Sequence, residues 1–105
     1  MYLMVIIKML TNYIKEFIAI SEYLVKNGYK KTLNFVIISK KDLEPLLDKN
    51  KFDTSQKKLQ IWKGLNWIDT EDGRVTKRIY SKEEGKYIPS VKIRLQVYET
   101  LRSLM

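Results

Sequence analysis

The stretch Asp53–Asp69, DTSQKKLQIWKGLNWID, decides how the chain around it is read. Asp53, Thr54 and Ser55 carry the side-chain oxygens that cap a helix N-terminus, and Gly64 stands where a helix ends. At about 100° per residue Ser55, Leu59 and Trp62 fall on one side, with Leu65 beyond them. Thr54, Lys57, Gln60, Ile61 and Gly64 fall on the other side, and Lys58 and Lys63 lie on the two flanks. Trp67 and Ile68 then open a strand. The spacing predicts a helix with one buried side that runs directly into a sheet.

Upstream, Phe35-Val36-Ile37-Ile38 is a continuous apolar, mostly β-branched run, which predicts a short buried strand. Ser39 followed by Asp42 predicts a capped helix with Leu43, Leu46 and Leu47 on its buried side. Pro45 is awkward there, because proline lacks the donor and clashes one turn back. The helix is therefore expected either to begin near Asp42 or to bend. Asn50–Phe52 is the turn between the two helices, with Phe52 as its apolar plug.

Downstream, Thr70-Glu71-Asp72-Gly73 signals a turn. Arg74–Tyr80 alternates, with Val75 and Ile79 facing one way and Arg74, Thr76, Arg78 and Tyr80 the other. Ser81–Pro89 reads as a loop around Gly85. Ser90–Tyr98 alternates again, with Val91, Ile93, Leu95 and Val97 inward and Lys92, Arg94 and Gln96 outward. Glu99–Met105 reads as a helical turn or as a segment that pairs with a partner.

Further out, Thr11 and Asn12 are candidate N-caps of a first helix reaching about Asn27, with Gly28 at its C′ position. Tyr13, Phe17, Ile20 and Leu24 form its apolar stripe, widened by Ile14, Ile18 and Val25. Such a stripe serves either core packing or a helix shared with a second copy. The opening MYLMVIIKML is apolar but too short to span a bilayer, and it lacks the leader and cleavage pattern of a signal peptide. Its first nine residues read as a strand, as a dimer-forming segment, or as an extension before a true start at Met9. These features predict a cytoplasmic protein without membrane association.

With 105 residues, 45% of them hydrophobic and 30% charged, the chain is expected to fold as one domain. The net charge is +8, which favours an anionic partner. Lys30–Asn66 carries nine lysines and four acids, so the strongest positive field surrounds the two central helices. There is no Cys and no His, which removes thiol and imidazole catalysis and nearly every zinc site. No glycine-rich phosphate cradle or dinucleotide fingerprint is present. Asp69, Glu71, Asp72, Glu83 and Glu84 lie in turn-like sequence and read as solvated turn residues rather than metal ligands. The chain is expected to be no enzyme and to need no cofactor or metal.

All four arginines, Arg74, Arg78, Arg94 and Arg102, lie after the central helix. Arg74, Thr76 and Arg78 beside Lys92 and Arg94 would form a cationic stripe across two strands. Arginine's planar fork suits phosphates, guanine edges and narrow minor grooves. The alternative is an ordinary charged outer sheet face. Glu83 and Glu84 near the tip oppose phosphate, so contacts are expected from the strand flanks or from Lys82 and Lys86. On the central helix, Gln60 is suited to adenine and Ile61 to a thymine methyl; exposed Ile61 beside Gly64 equally suits a protein contact. Lys40 and Lys41 are placed for phosphate.

From Phe35 to Leu95, and in particular over FVIISKKDLEPLL and KKLQIWKGLNWID, the chain resembles the winged helix-turn-helix DNA-binding family. The resemblance implies an α+β fold, a three-helix core with a β-hairpin wing, that binds double-stranded DNA as a homodimer. Carried over by position, it points to Thr54, Gln56, Lys57, Gln60 and Lys63 in the helix and to Arg74, Lys77, Arg78 and Lys92 in the wing. The sparse basic face of the helix, Pro45 and the acidic tip depart from the family pattern and favour the ribbon over the helix as the reading element. Over its whole length the chain is also similar to the small relaxosome accessory proteins of clostridial conjugative plasmids. That similarity implies binding to a plasmid origin of transfer during conjugation, beside a relaxase or other DNA-processing protein. The alternatives are a winged-helix transcriptional regulator and a protein-interaction winged helix that binds no DNA; a small-molecule-sensing repressor is a poorer choice.

Overall fold

The computed structural model describes the backbone of residues 2–105 and the side chains of residues 7–105. The first helix, α1, spans Tyr2–Lys26, so it starts well before Thr11 and Asn12. Nothing in MYLMVIIKML breaks a helix, and a helix once nucleated propagates through weak formers. Thr11 accordingly sits mid-helix, its Oγ1 donating to the Ile7 carbonyl at 2.8 Å. The strand reading of the opening is overturned for Tyr2–Met9; Met1 lies outside the described residues. At the other end Gly28, with φ of 73°, takes the left-handed cap position, and the Tyr29 N–H bonds back to the Leu24 carbonyl at 3.2 Å.

β1 is Phe35–Ser39. α2 is Lys40–Asp48, capped by Ser39, whose Oγ accepts from the Asp42 N–H at 3.2 Å. Pro45 lies inside this helix, which begins before Asp42 all the same. Its ring is on the exposed side, so the carbonyl one turn back loses its helical donor at the surface, where water can take over. α3 is Ser55–Gly64, with the Thr54 Oγ1 accepting from the Lys57 N–H at 3.2 Å. The helix ends at Gly64, as expected, and Asn66 supplies the left-handed turn that closes it. Asn66 takes φ of 60°, and the Trp67 N–H closes onto the Trp62 carbonyl at 2.8 Å.

β2 is Ile68–Asp69, β3 is Lys77–Ser81 and β4 is Lys86–Arg94. The sheet is antiparallel, with β4 between β1 on one edge and β2 and β3 on the other. Asp69 pairs with Lys92 and Lys77 with Ser90, so the whole loop Thr70–Thr76 bulges out opposite Val91 alone. Two expected boundaries move as a result. Arg74 stands in the bulging loop rather than on a strand, and the loop expected at Ser81–Pro89 shrinks to a tight turn at Gly85.

The last expected strand also stops early. α4, Leu95–Leu104, takes over the stretch containing Gln96 and Val97. Phe35, the first residue of β1, pairs with Arg94, so a strand continued past Arg94 has no ladder partner, whereas a helix closes its own bonds. The fold is thus α+β with four helices, one more than the three expected.

One sheet face, Val36, Ile38, Ile68, Val91 and Ile93, packs against the helices. Phe17 of α1 lies edge-on to Trp62 at 5.0 Å and against Trp67 at 4.8 Å, tying α1, α3 and the strand start together. Burying side chains of this size contributes about 1.5–3 kcal/mol each. Lys58, expected on a flank, is fully buried on the inner side of α3. Its ammonium meets Glu16 of α1 at 3.0 Å and the Leu47 and Asn50 carbonyls at 2.6 Å each. It thereby supplies the donors that the C-terminal end of α2 lacks. Beside it, the Tyr13 hydroxyl donates to Asp53. Burial and that carboxylate push the Tyr13 phenol up to about 12, while the same hydrogen bond holds Asp53 below its ordinary value. No helix among the described residues is long and apolar enough to cross a membrane.

Candidate nucleic-acid interface

Strand register sorts the basic side chains. Residues paired across a sheet share a face, so Lys77, Lys92 and Arg94 lie with Phe35, Ile37 and Asp69 on the face turned away from the helices. Arg78, opposite Pro89, lies on the helix side. The single stripe expected from Arg74, Thr76, Arg78, Lys92 and Arg94 is therefore split between two faces and a loop. Thr76 is buried and belongs to no outward row.

The outer-face cations are engaged within the protein. Asp69 receives Lys77 at 3.0 Å, Lys92 at 3.6 Å and Arg94 at 3.9 Å. Burial raises the Asp69 carboxyl, but the Lys77 hydrogen bond and the three positive charges outweigh it and hold it below its ordinary range. Lys92 also sits over the Phe35 ring at 4.2 Å, and its side chain is only 17% exposed. Arg78 is tied to Glu71, whose Oε1 accepts from both its backbone N–H and its Nε. Those bonds lower the Glu71 pKa. Asp69 and Glu71 are thus counter-ions of the arm and not the solvated turn residues expected.

A different set of cations stays free. Between α3 and the Thr70–Thr76 loop runs a groove of about 580 Å³, lined by Lys40, Gln56, Gln60, Lys63, Arg74 and Thr76. Lys40 arrives from the first turn of α2, the glutamines and Lys63 from the outer side of α3, and Arg74 from the bulging loop. Neither Lys40, Lys63 nor Arg74 meets a carboxylate within 4.0 Å among the described residues. Gly64 and Gly73 lie in the same lining, and a Cβ at Gly64 would meet nothing within 4 Å, so the groove floor is open.

The other expected site residues fall around this groove or away from it. Lys57 is exposed on α3 outside the lining, and the Thr54 hydroxyl is committed to the helix cap. Lys41 faces the neighbouring hollow between α2 and β4, with Lys86 and Tyr87. Lys77, Lys92 and Arg94 lie on the far face. Lys58, which touches both the turn and α1, escaped the sequence reading. Its position beside Trp62 on the helical wheel, together with an acid, Glu16, in the apolar stripe of α1, was the available signal. In comparisons with known proteins, no family model and no curated protein matches the chain.

Proposed function

We propose that the chain is a winged helix-turn-helix and that it binds double-stranded DNA without catalysing a reaction. In this reading α2 and α3 are the helix-turn-helix, the β3–β4 hairpin is the wing, and the α3 groove is the contact surface. The observation that carries it is the convergence of Lys40, Lys63 and Arg74, with no carboxylate within 4.0 Å among the described residues, on a groove also lined by Gln56 and Gln60. The cations neutralise phosphates and so supply affinity. The two amides have the paired donor and acceptor that reads adenine, and half-exposed Ile61 fits a thymine methyl. An α-helix with its side chains fits a major groove about 12 Å wide.

Arg74 reaches the backbone beside the groove, with Lys41 and Lys57 as flanking phosphate contacts, while Arg78 is held by Glu71. Lys77, Lys92 and Arg94, occupied by Asp69, add long-range field rather than direct contacts. Thr54 acts through the helix cap. This moves the weight from the ribbon to the groove between helix and loop.

The protein acts as a homodimer in this account. The stripe that buries Tyr13 and Phe17 continues along α1 to Met9 and Leu10, which are 48% and 45% exposed, with Ile7 beside them. A second copy of α1 would cover them. The process served is DNA handling in the cytoplasm, at a plasmid origin of transfer beside a relaxase or, failing that, at a promoter. Titrating a fluorescent duplex with the protein at low salt tests the binding itself, and absence of an anisotropy change would refute it. Selecting bound fragments from plasmid and chromosomal DNA then separates an origin of transfer from promoters.

A further inference from the structure

The hairpin carries a feature that duplex binding does not use. Tyr80 and Tyr87 are directly opposite each other on β3 and β4, one rung from the turn. They are 49% and 65% exposed, and their ring centroids are 5.2 Å apart in an edge-to-face arrangement. Register places them on the helix side, the same side as Arg78, and Tyr87 lines the hollow between α2 and β4, which shares Lys40 with the groove holding Arg74. The segment Lys77–Tyr87 has four basic and two acidic residues. Glu83 and Glu84 occupy the turn itself, so a phosphate chain is repelled at the tip and favoured along the flank beside Lys86, while Arg78 on the other strand is held by Glu71.

Exposed rings between cations are what binds unpaired nucleotides. Every base has an apolar face to stack, and the cations follow the backbone. In an intact duplex those faces are stacked on one another and out of reach. We propose that Tyr80 and Tyr87 form a stacking site for unpaired bases, so that the preferred ligand is DNA in which a duplex adjoins a single-stranded stretch. The site rests on the duplex reading only for where the paired part lies.

The test compares fluorescence anisotropy titrations of one duplex, blunt or extended by a single-stranded tail, with the tail strand alone as a third probe. The wild-type protein is expected to bind the tailed probe about 10-fold more tightly than the blunt one. Tyr80→Leu/Tyr87→Leu, which keeps apolar bulk on the hairpin, is expected to lose that preference while holding its blunt-duplex affinity. Tyr80→Phe/Tyr87→Phe is expected to keep it, because stacking needs the ring and not the hydroxyl. Equal wild-type binding to blunt and tailed probes overturns the stacking site and leaves the duplex reading intact, as does a preference that survives in the leucine variant. Tyrosine-dependent binding of the tail strand without any duplex binding supports the stacking site and overturns the duplex reading. Binding to none of the probes overturns both.

Discussion

Removing the Lys58 ammonium would test how α3 is held. Its side chain is fully buried, and its partner Glu16 is 2% exposed. Lys58→Met keeps the length of the stem but deletes three hydrogen bonds, of 3.0, 2.6 and 2.6 Å. It also strips the buried Glu16 carboxylate of its cation, leaving it the Asn50 amide as donor, and removes the ammonium lying 4.2 Å over the Phe52 ring. Breaking a buried pair from one side costs about 3–5 kcal/mol, most of it from the charge left behind. Against a total stability of about 5–15 kcal/mol, that is about a fifth or more. The midpoint of thermal unfolding should fall by roughly 12–20 °C, at about 4 °C per kcal/mol for this length.

Emission from buried Trp62 and Trp67 reports the transition. The companion variant Lys58→Met/Glu16→Leu removes both charges and should recover a large part of the loss, because an apolar pair of similar volume is tolerated there. A Lys58→Met cost below about 1 kcal/mol, the range of exposed ion pairs, would refute the burial and with it this account of how α3 is fixed to α1 and α2.

Three further outcomes follow from the same structure. The carboxyl of Asp69 sits below its ordinary value of 3.8, so it contributes stability above that pH and loses the contribution as pH falls through the depressed value. Acid unfolding of Asp69→Asn followed by circular dichroism should therefore show a smaller loss of stability below about pH 4 than the parent, and an unchanged pH profile would contradict the ion cluster. Asn66 holds φ of 60°, so Asn66→Gly should be neutral or slightly stabilising and Asn66→Ala should cost about 1 kcal/mol in urea unfolding; equal stabilities would place the cap elsewhere. In the proposed homodimer, Met9→Ser/Leu10→Ser should convert dimer to monomer in sedimentation velocity with the fold intact, and a wild-type monomer at every concentration would overturn the proposed dimer.

Where one physical signal dominated, the elements were legible beforehand. The caps Ser39 and Thr54, the buried strand at Phe35 and the apolar spacing of Tyr13, Phe17, Ile20 and Leu24 are local features, and local chemistry decides them. Errors came where a longer-range choice intervened. α3 ends at Gly64 as expected, but the left-handed residue is Asn66, because the chain must turn into β2 two residues later. The alternation running from Val91 to Val97 is equally compatible with helix once Leu95, Tyr98 and Leu101 are read at helical spacing, and only the length of β1 decides between the two. The basic residues illustrate the same point. Their charge is visible in the sequence, but Asp69 and Glu71 as their partners, and the separation of Arg78 from Lys92, depend on a register offset created by the bulging loop. The groove at Lys40, Lys63 and Arg74 joins three separate elements and has no signature in any one of them.

The salt dependence of duplex affinity addresses the groove most directly. Each phosphate contact contributes about −0.9 to the slope of log K against log salt. Lys40→Ala/Lys63→Ala/Arg74→Ala should therefore flatten the slope by about 2.7 per protomer, whereas Lys77→Ala/Lys92→Ala, on the opposite sheet face, should change it by less than about 1. A groove variant with the parental slope, or a far-face variant that flattens it more, would contradict the assignment of DNA contact to the cleft between α3 and the Thr70–Thr76 loop.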